Sequence, residues 1–396
     1  MKIIHSGKVA PKAFSKSIFL AGPTPRSDNV ASWRPEALRL LESRGYDGVV
    51  FVPEFRGFSK NNMPEGWTWE KQCDWEHKYL DMSDIILFWV PRKLRVMPAF
   101  TTNVEFGLYA NSGRVVFGAP SNWKNFPKNR YLKFMADKFV IPRFDTLEAT
   151  IKGALEIIGK GTMRRGTESL IPLNLWQSAS FQNWYQAKIK TGHKLKNAKV
   201  EFTIRKGMKK DWIYAWGLWV DIDVHGENRR KYNESVISRP DISTVFLYQR
   251  APNSMDTKVV LVREFRSPAR TADGFIWELP GGSSFGPDQT PQKVASEEIF
   301  EETGFKIDPV RFRVHQSRQL AGTFSAHKSS LFSAEITSAE LAWFERQKGI
   351  AHGSDPKNST GERTYIEIKT IKEILENELL DWSNIGMILS VLNQPR

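Results

Sequence analysis

Ile85-Ile86-Leu87-Phe88-Trp89-Val90, stopped by Pro91, decides how the first part of the chain is read. Six apolar residues fall far short of the ~18 needed to cross a membrane. The run is continuous rather than alternating, which is the pattern of a strand buried on both faces of a parallel sheet. Residues 69–82 before it have helical spacing, as do residues 102–112 after it. Further out the alternation repeats. Ile18-Phe19-Leu20-Ala21 turns at Gly22-Pro23, residues 33–44 are helical, and Val49-Val50-Phe51-Val52 stops at Pro53. Downstream come Val115-Val116-Phe117, a fifth strand expected at Phe139-Val140-Ile141, and a closing helix over 146–158. The expected fold is α/β, a doubly wound parallel sheet of Rossmann or flavodoxin type. Ligands of such sheets collect beyond the carboxyl ends of the strands, here Gly22-Pro23, Pro53-Glu54, Pro91-Arg92 and Ala119-Pro120.

The texture changes after residue 160. Residues 161–175 are rich in Gly and basic residues and read as a linker between a domain of residues 1–160 and another of 176–396. In the second part, strands with polar alternation are expected around 200–204, 216–224, 244–249 and 259–263, and helices at 291–303 and 371–378, an α+β arrangement with a mixed sheet. The length of 396 residues accommodates two or three domains. A single cysteine, Cys73, excludes an internal disulfide and a four-cysteine zinc site. With no apolar signal-peptide core at the N-terminus, the expected location is the cytoplasm, with no membrane association.

The 57 Lys and Arg against 44 Asp and Glu leave a net charge of +13, which favours anionic ligands such as nucleotides. Residues 188–210 hold nine of the basic residues and one acid, Glu201. No DNA- or RNA-recognition motif accompanies them, so a solvated face or a phosphate-holding surface is expected and a nucleic-acid partner is disfavoured.

Carboxylates cluster on the 291–303 helix. Thr290 suits its N-cap, Pro291 its first position and Gly304 its C-terminal stop. Glu298, Glu301 and Glu302 lie at i, i+3 and i+4 and so share a face. Their mutual repulsion would be relieved by a divalent cation. The stretch Glu298-Ile299-Phe300-Glu301-Glu302-Thr303-Gly304-Phe305 resembles the second half of the Nudix box. Val262-Arg263-Glu264-Phe265-Arg266 and Trp277-Glu278-Leu279-Pro280-Gly281-Gly282 resemble the branch that includes ADP-ribose pyrophosphatases. Glu297 stands where that family has Arg, and Gln289, beside Asp288, where it has Glu. The resemblance implies Mg²⁺ or Mn²⁺ on Glu298, Glu301 and Glu302, with Glu302 and Glu362 in catalysis. It implies a nucleoside-diphosphate sugar held by Arg266, Glu278, Gly281 and Gly282. The altered box leaves a second reading, a non-catalytic nucleotide-sensing module that regulates the N-terminal domain.

Ser17-Ile18-Phe19-Leu20-Ala21-Gly22-Pro23, Met82-Ser83-Asp84-Ile85-Ile86-Leu87-Phe88 and Thr101-Thr102-Asn103-Val104-Glu105-Phe106-Gly107 resemble, in order and spacing, the nucleoside 2-deoxyribosyltransferase family. The resemblance implies that Glu105 is a nucleophile that attacks the anomeric carbon of a nucleoside and that Glu76, with Asp74 beside it, contacts the substrate near Gly22 and Pro23. Phe19 replaces the family's first-strand Tyr, and Met97-Pro98-Ala99-Phe100 lacks its acid. Thr102-x-x-Glu105 also has the spacing of a capping box, in which Glu105 needs no chemistry. The expectation is a bifunctional nucleotide-processing enzyme acting on nucleosides, nucleotides or nucleoside-diphosphate sugars, with homo-oligomerisation left open.

Overall fold

The computed structural model describes residues 1–27, 29–56, 64–121, 126–207, 212–283, 290–353 and 361–394. Gln289 and Asp288 of the altered box, and Lys209 and Lys210 of the basic segment, lie outside the described residues. The chain divides into two compact units, Met1–Ser238 and Arg239–Arg396.

The first unit is built on a parallel sheet of β1 (Lys2–His5), β2 (Ser17–Ala21), β3 (Val49–Val52), β4 (Ile85–Trp89), β5 (Val115–Gly118) and β6 (Arg143–Phe144). Its spatial order is β1-β3-β2-β4-β5-β6, with every pairing parallel. Because strand side chains alternate, Phe19, Phe51, Ile86, Phe88 and Phe117 meet helices α2 (Trp69–Met82), α3 (Phe100–Tyr109) and α4 (Arg130–Lys138) on one face. Ile18, Leu20, Val50, Leu87 and Val116 meet α1 (Arg34–Ser43) and α5 (Leu147–Ile158) on the other. Both faces are covered, as the continuous apolar runs require.

Three expectations fail here. Phe139-Val140-Ile141 is not a strand. Phe139 ends α4 and Val140 turns the chain at φ 56°, so the two flanking side chains pack onto the core without entering the sheet. Residues 161–175 are not a linker. Arg164-Arg165 pairs antiparallel with Ala13-Phe14, and the fully buried Arg164 donates to both carboxylate oxygens of the buried Asp84, at 2.7 and 2.5 Å. Asp84 also accepts from the amides of Ser17 and Leu173, both at 2.8 Å. A buried charge needs a charged partner, and the basic character of the segment supplies it. The strands expected around 200–204 and 216–224 form a separate antiparallel sheet of β7 (Lys194–Lys206), β8 (Trp212–Val224) and β9 (Arg229–Ser238), with helix α6 (Ala179–Lys190) packing Phe181 and Trp184 against Trp216, and it belongs to the first compact unit and not to the second.

The second unit is a mixed sheet. β10 (Ile242–Gln249) pairs parallel with β14 (Lys328–Glu335) and antiparallel with β11 (Lys258–Phe265), which in turn pairs with β12 (Phe275–Glu278) and β15 (Thr364–Thr370). The two-residue strand β13 (Gly281–Gly282) lies against β10. Helix α7 (Pro291–Thr303) packs Ala295 and Ile299 on one face. Helices Ile371–Glu376 and Trp382–Leu392 cover the other. The end residues of α7 act as expected: Thr290 accepts from the Lys293 amide, and Gly304 closes the helix at φ 73°.

Candidate active site

Where β2 and β3 end, the chain frames a cavity of about 710 Å³. Gly22 and Pro23 form one wall, Pro53-Glu54 another, and the first turn of α3 a third. Trp69, Gln72 and Glu76, at i, i+3 and i+7 of α2, present one helix face to it. Gly22 has φ 143°, and a Cβ there would lie 2.2 Å from the carbonyl oxygen of Trp89. Only glycine lets the β2 turn run against the end of β4. Gly22→Ala is therefore expected to destabilise the first unit by roughly 1–3 kcal/mol, read as a lower Tm; an unchanged Tm would contradict the tight approach.

Glu105 faces this cavity with 9% of its surface exposed, and its carboxylate has no hydrogen-bond partner among the described residues. Burial first, and then the neighbouring Glu76, push its carboxyl up to about 8, while Arg34 pulls the other way. Glu76 is raised too, by burial, against a 2.7 Å hydrogen bond from Gln72 and the field of Arg34. Glu105 and Glu76, half-buried to buried beside a cation already paired with Glu54, titrate as a pair and hold a proton at neutral pH. The capping-box reading fails. α3 starts at Phe100 after Ala99 (φ 62°), with no side-chain cap, so Glu105 lies beyond the N3 position that such a box requires.

Asp74 is exposed on α2 and does not line the cavity, contrary to expectation, because it lies two residues from Glu76 and so on another side of the helix. Glu54 stands at one of the expected strand ends, but Arg34 had not been foreseen. Arg34 is buried and donates to Glu54 at 2.7 Å, Thr24 at 3.0 Å and the carbonyls of Leu20 and Gly22 at 3.1 and 2.8 Å. One signal for it was available: a cation in the first turn of α1 opposes the helix dipole and so needs another reason to be there. Arg92 fixes the start of α3, donating to Pro98 O at 2.7 Å and to Asn103 Oδ1 at 2.5 Å.

In the second unit the expected acidic residues come together around β12, β13 and α7. Glu302 is buried, and its carboxylate accepts from the Gly281 amide at 2.9 Å. Burial and then Glu278 hold its carboxyl well above the usual range. Glu298 is pushed up to about 7 by burial, then by Glu301 and Glu362. A Cβ on Gly282 would lie 2.5 Å from the Glu298 carboxyl group, so this glycine makes room for it. Glu264, not singled out from sequence, is buried and raised to about 7 by burial against the opposing pull of Arg266. Arg266 bridges Glu264 at 2.9 Å and Glu278 at 2.6 Å. Glu297 points to solvent, 3.8 Å from Lys293. Among the described residues no group of three or more His, Cys, Asp or Glu side chains is placed to hold a metal ion.

Most of the described basic segment is a solvated face, with Lys196 paired to Asp223 at 3.3 Å and Lys199 to Glu201 at 3.9 Å, both exposed, whereas Arg205 is partly buried against Gly113. Among the described residues no helix is long and apolar enough to cross a membrane. No curated protein matches the chain. The family model described as nucleoside 2-deoxyribosyltransferase like matches residues 15–123, the span that carries β2 to β5, Arg34, Glu76 and Glu105.

Proposed function

We propose that the first unit cleaves or transfers at the N-glycosidic bond of a nucleoside or nucleotide. The observation that carries this reading is the unpartnered, buried Glu105 carboxylate facing a cavity beside Glu76. In the form of the pair whose shared proton sits on Glu76, the ionised Glu105 attacks the anomeric carbon, the C1′–N bond breaks, and its electron pair leaves with the base. Glu76, sharing the pair's proton, delivers it to the departing base nitrogen. Water or a second base then attacks C1′, gives up its proton to Glu76, and releases Glu105 from the glycosyl ester. The field of Arg34, itself paired with Glu54, favours the charged form of both carboxylates. Base release from nucleosides and nucleoside monophosphates, followed spectroscopically, tests the reading; no release from either class contradicts it.

A second reading concerns the other unit and rests on a different observation: Glu264, Glu278 and Glu302 flank the Arg266 guanidinium, and Glu298, Glu301 and Glu362 adjoin them, with Arg239 acting on Glu298. This excess of oxygen donors suits Mg²⁺ or Mn²⁺, which keep several waters and need no closed protein cage. Glu298, Glu301 and Glu302 would hold the cation, which when bound polarises a phosphoanhydride and activates water. Gly281 and Gly282 are instead required for packing, against the Ser243 backbone and the Glu298 carboxyl group, and Glu362 supplies a further carboxylate. The reaction so assigned is hydrolysis of a nucleoside-diphosphate linkage such as that of ADP-ribose. Mg²⁺ at a hundred times its Kd is expected to stabilise this unit by about 2.7 kcal/mol. Glu298→Gln and Glu301→Gln should each shrink that shift and slow ADP-ribose hydrolysis. A thermal transition indifferent to Mg²⁺ and chelator would remove the cation from the account.

A further inference from the structure

The charged side chains Arg26, Arg34, Glu54, Glu76 and Glu105 line the cavity of the first unit. Arg26 stacks on the rim, 5.6 Å from the centre of the Phe100 ring. Arg34 is 1% exposed, and among the described residues it pairs with only one of the three carboxylates. Its Nη1 donates to Glu54 at 2.7 Å and to the Thr24 hydroxyl at 3.0 Å. Its Nη2 donates to the Gly22 carbonyl at 2.8 Å and its Nε to the Leu20 carbonyl at 3.1 Å. Four of the five N–H groups of the guanidinium are thus engaged, and none of these bonds reaches Glu105 or Glu76. The Ser32 hydroxyl fastens the arrangement: it donates to the Glu54 carboxylate at 2.9 Å and accepts from the Arg34 amide at 3.2 Å. A planar fork held on four acceptors cannot turn to another carboxylate without breaking several bonds at once.

A lone buried cation beside two acids favours the charged form of both. With both ionised, the site would have its nucleophile but no proton for the leaving base. An ion pair acts at a distance as a dipole, whose field falls off faster than that of a single charge. The other groups around the acids do not neutralise Arg34. Cys73 on α2 feels the charge of both carboxylates, and His77 acts on Glu76. Tyr109, one turn along α3 from Glu105, donates to Asp81 at 2.7 Å. We propose that Glu54 is a positioning residue for the Glu105–Glu76 pair: by holding the Arg34 guanidinium it neutralises the buried cation of the cavity, so that the pair retains the proton that Glu76 gives to the departing base. This rests on the N-glycosidic reading for the use of the proton, but not for its retention.

The test is the pH profile of base release from nucleosides and nucleoside monophosphates by the full chain, run beside a carbon NMR titration of the glutamate carboxyls. The Glu105 signal is assigned by its loss in Glu105→Gln. Glu54→Gln keeps the shape of the side chain and removes its charge. Its pair should lose the proton about one pH unit lower than in the parent, in the titration and in the alkaline limb of the profile alike. Base release at pH 8 should therefore fall severalfold, while at pH 6 it should match or exceed the parent. Glu54→Asp, which keeps the charge, should keep the parent's limb. Arg34→Gln should move the limb upward; if that variant does not fold, the contrast between Glu54→Gln and Glu54→Asp decides. A structural Glu54 would instead lower the rate at every pH with the limb in place. A titration unmoved in Glu54→Gln, or moved in the same direction by Glu54→Gln and Arg34→Gln, overturns the proposal. Titrations that shift as expected without base release from any chain leave the positioning role standing and remove the N-glycosidic reading. Base release by the parent with one unmoved limb across the variants does the reverse.

Discussion

Replacing Glu105 with Gln is expected to abolish base release, by on the order of 10⁴-fold or more, the scale on which loss of a catalytic nucleophile is felt. The amide keeps the shape of the side chain and cannot form the glycosyl ester. Stability should move the other way. The folded-state value of Glu105, about 8, lies above its ordinary value. A raised carboxyl contributes stability that is complete below the unfolded value and is lost as pH rises through the folded one. Across pH 4.5 to 8 the parent therefore loses up to about 1.4 kcal/mol per pH unit from this group, a slope that Gln removes. At 2–4 °C per kcal/mol for a unit of this size, the variant should unfold several degrees higher than the parent at pH 8 and close to it at pH 4.5. A helix-capping Glu105 would instead leave base release intact.

The largest structural loss is expected at Asp84. Its carboxylate is fully buried against Arg164 and receives the Ser17 and Leu173 amides. Asp84→Asn keeps the shape and leaves a buried guanidinium without its counter-charge, a change that costs about 3–5 kcal/mol. The Tm of the first unit should fall by about 10 °C or more. Asp84→Asn combined with Arg164→Met should recover part of that, because the penalty is the unpaired charge and not the missing contact. A single variant within about 1 kcal/mol of the parent would show that the pair is not what ties residues 161–175 to the sheet.

Much of this fold was legible in the chain because burial on two faces leaves an unmistakable mark. The runs at 18–21, 49–52, 85–90 and 115–117 all became strands of one parallel sheet, and the Thr290 and Gly304 signals bounded α7. Short or polar signals failed. Three apolar residues at 139–141 could sit in a sheet or plug a core equally well, and the core won. The Gly- and Arg-rich 161–175 looked like a linker because nothing local reveals that Asp84, some eighty residues earlier, needs Arg164. The site was legible in part. Glu105, Glu76, Gly22 and Pro23 do converge, whereas Arg34 matters through what surrounds it, and that is a property of the folded cavity. Asp74 was misplaced by sequence proximity alone, since helix geometry separates it from Glu76.

The measurement that bears most directly on the central claim is mass spectrometry of the full chain, acid-quenched during turnover with a deoxynucleoside monophosphate. The account predicts a covalent adduct of the sugar phosphate on the peptide that contains Glu105, absent in Glu105→Gln. Turnover with the adduct on another residue, or turnover by Glu105→Gln at the parent rate, would contradict it.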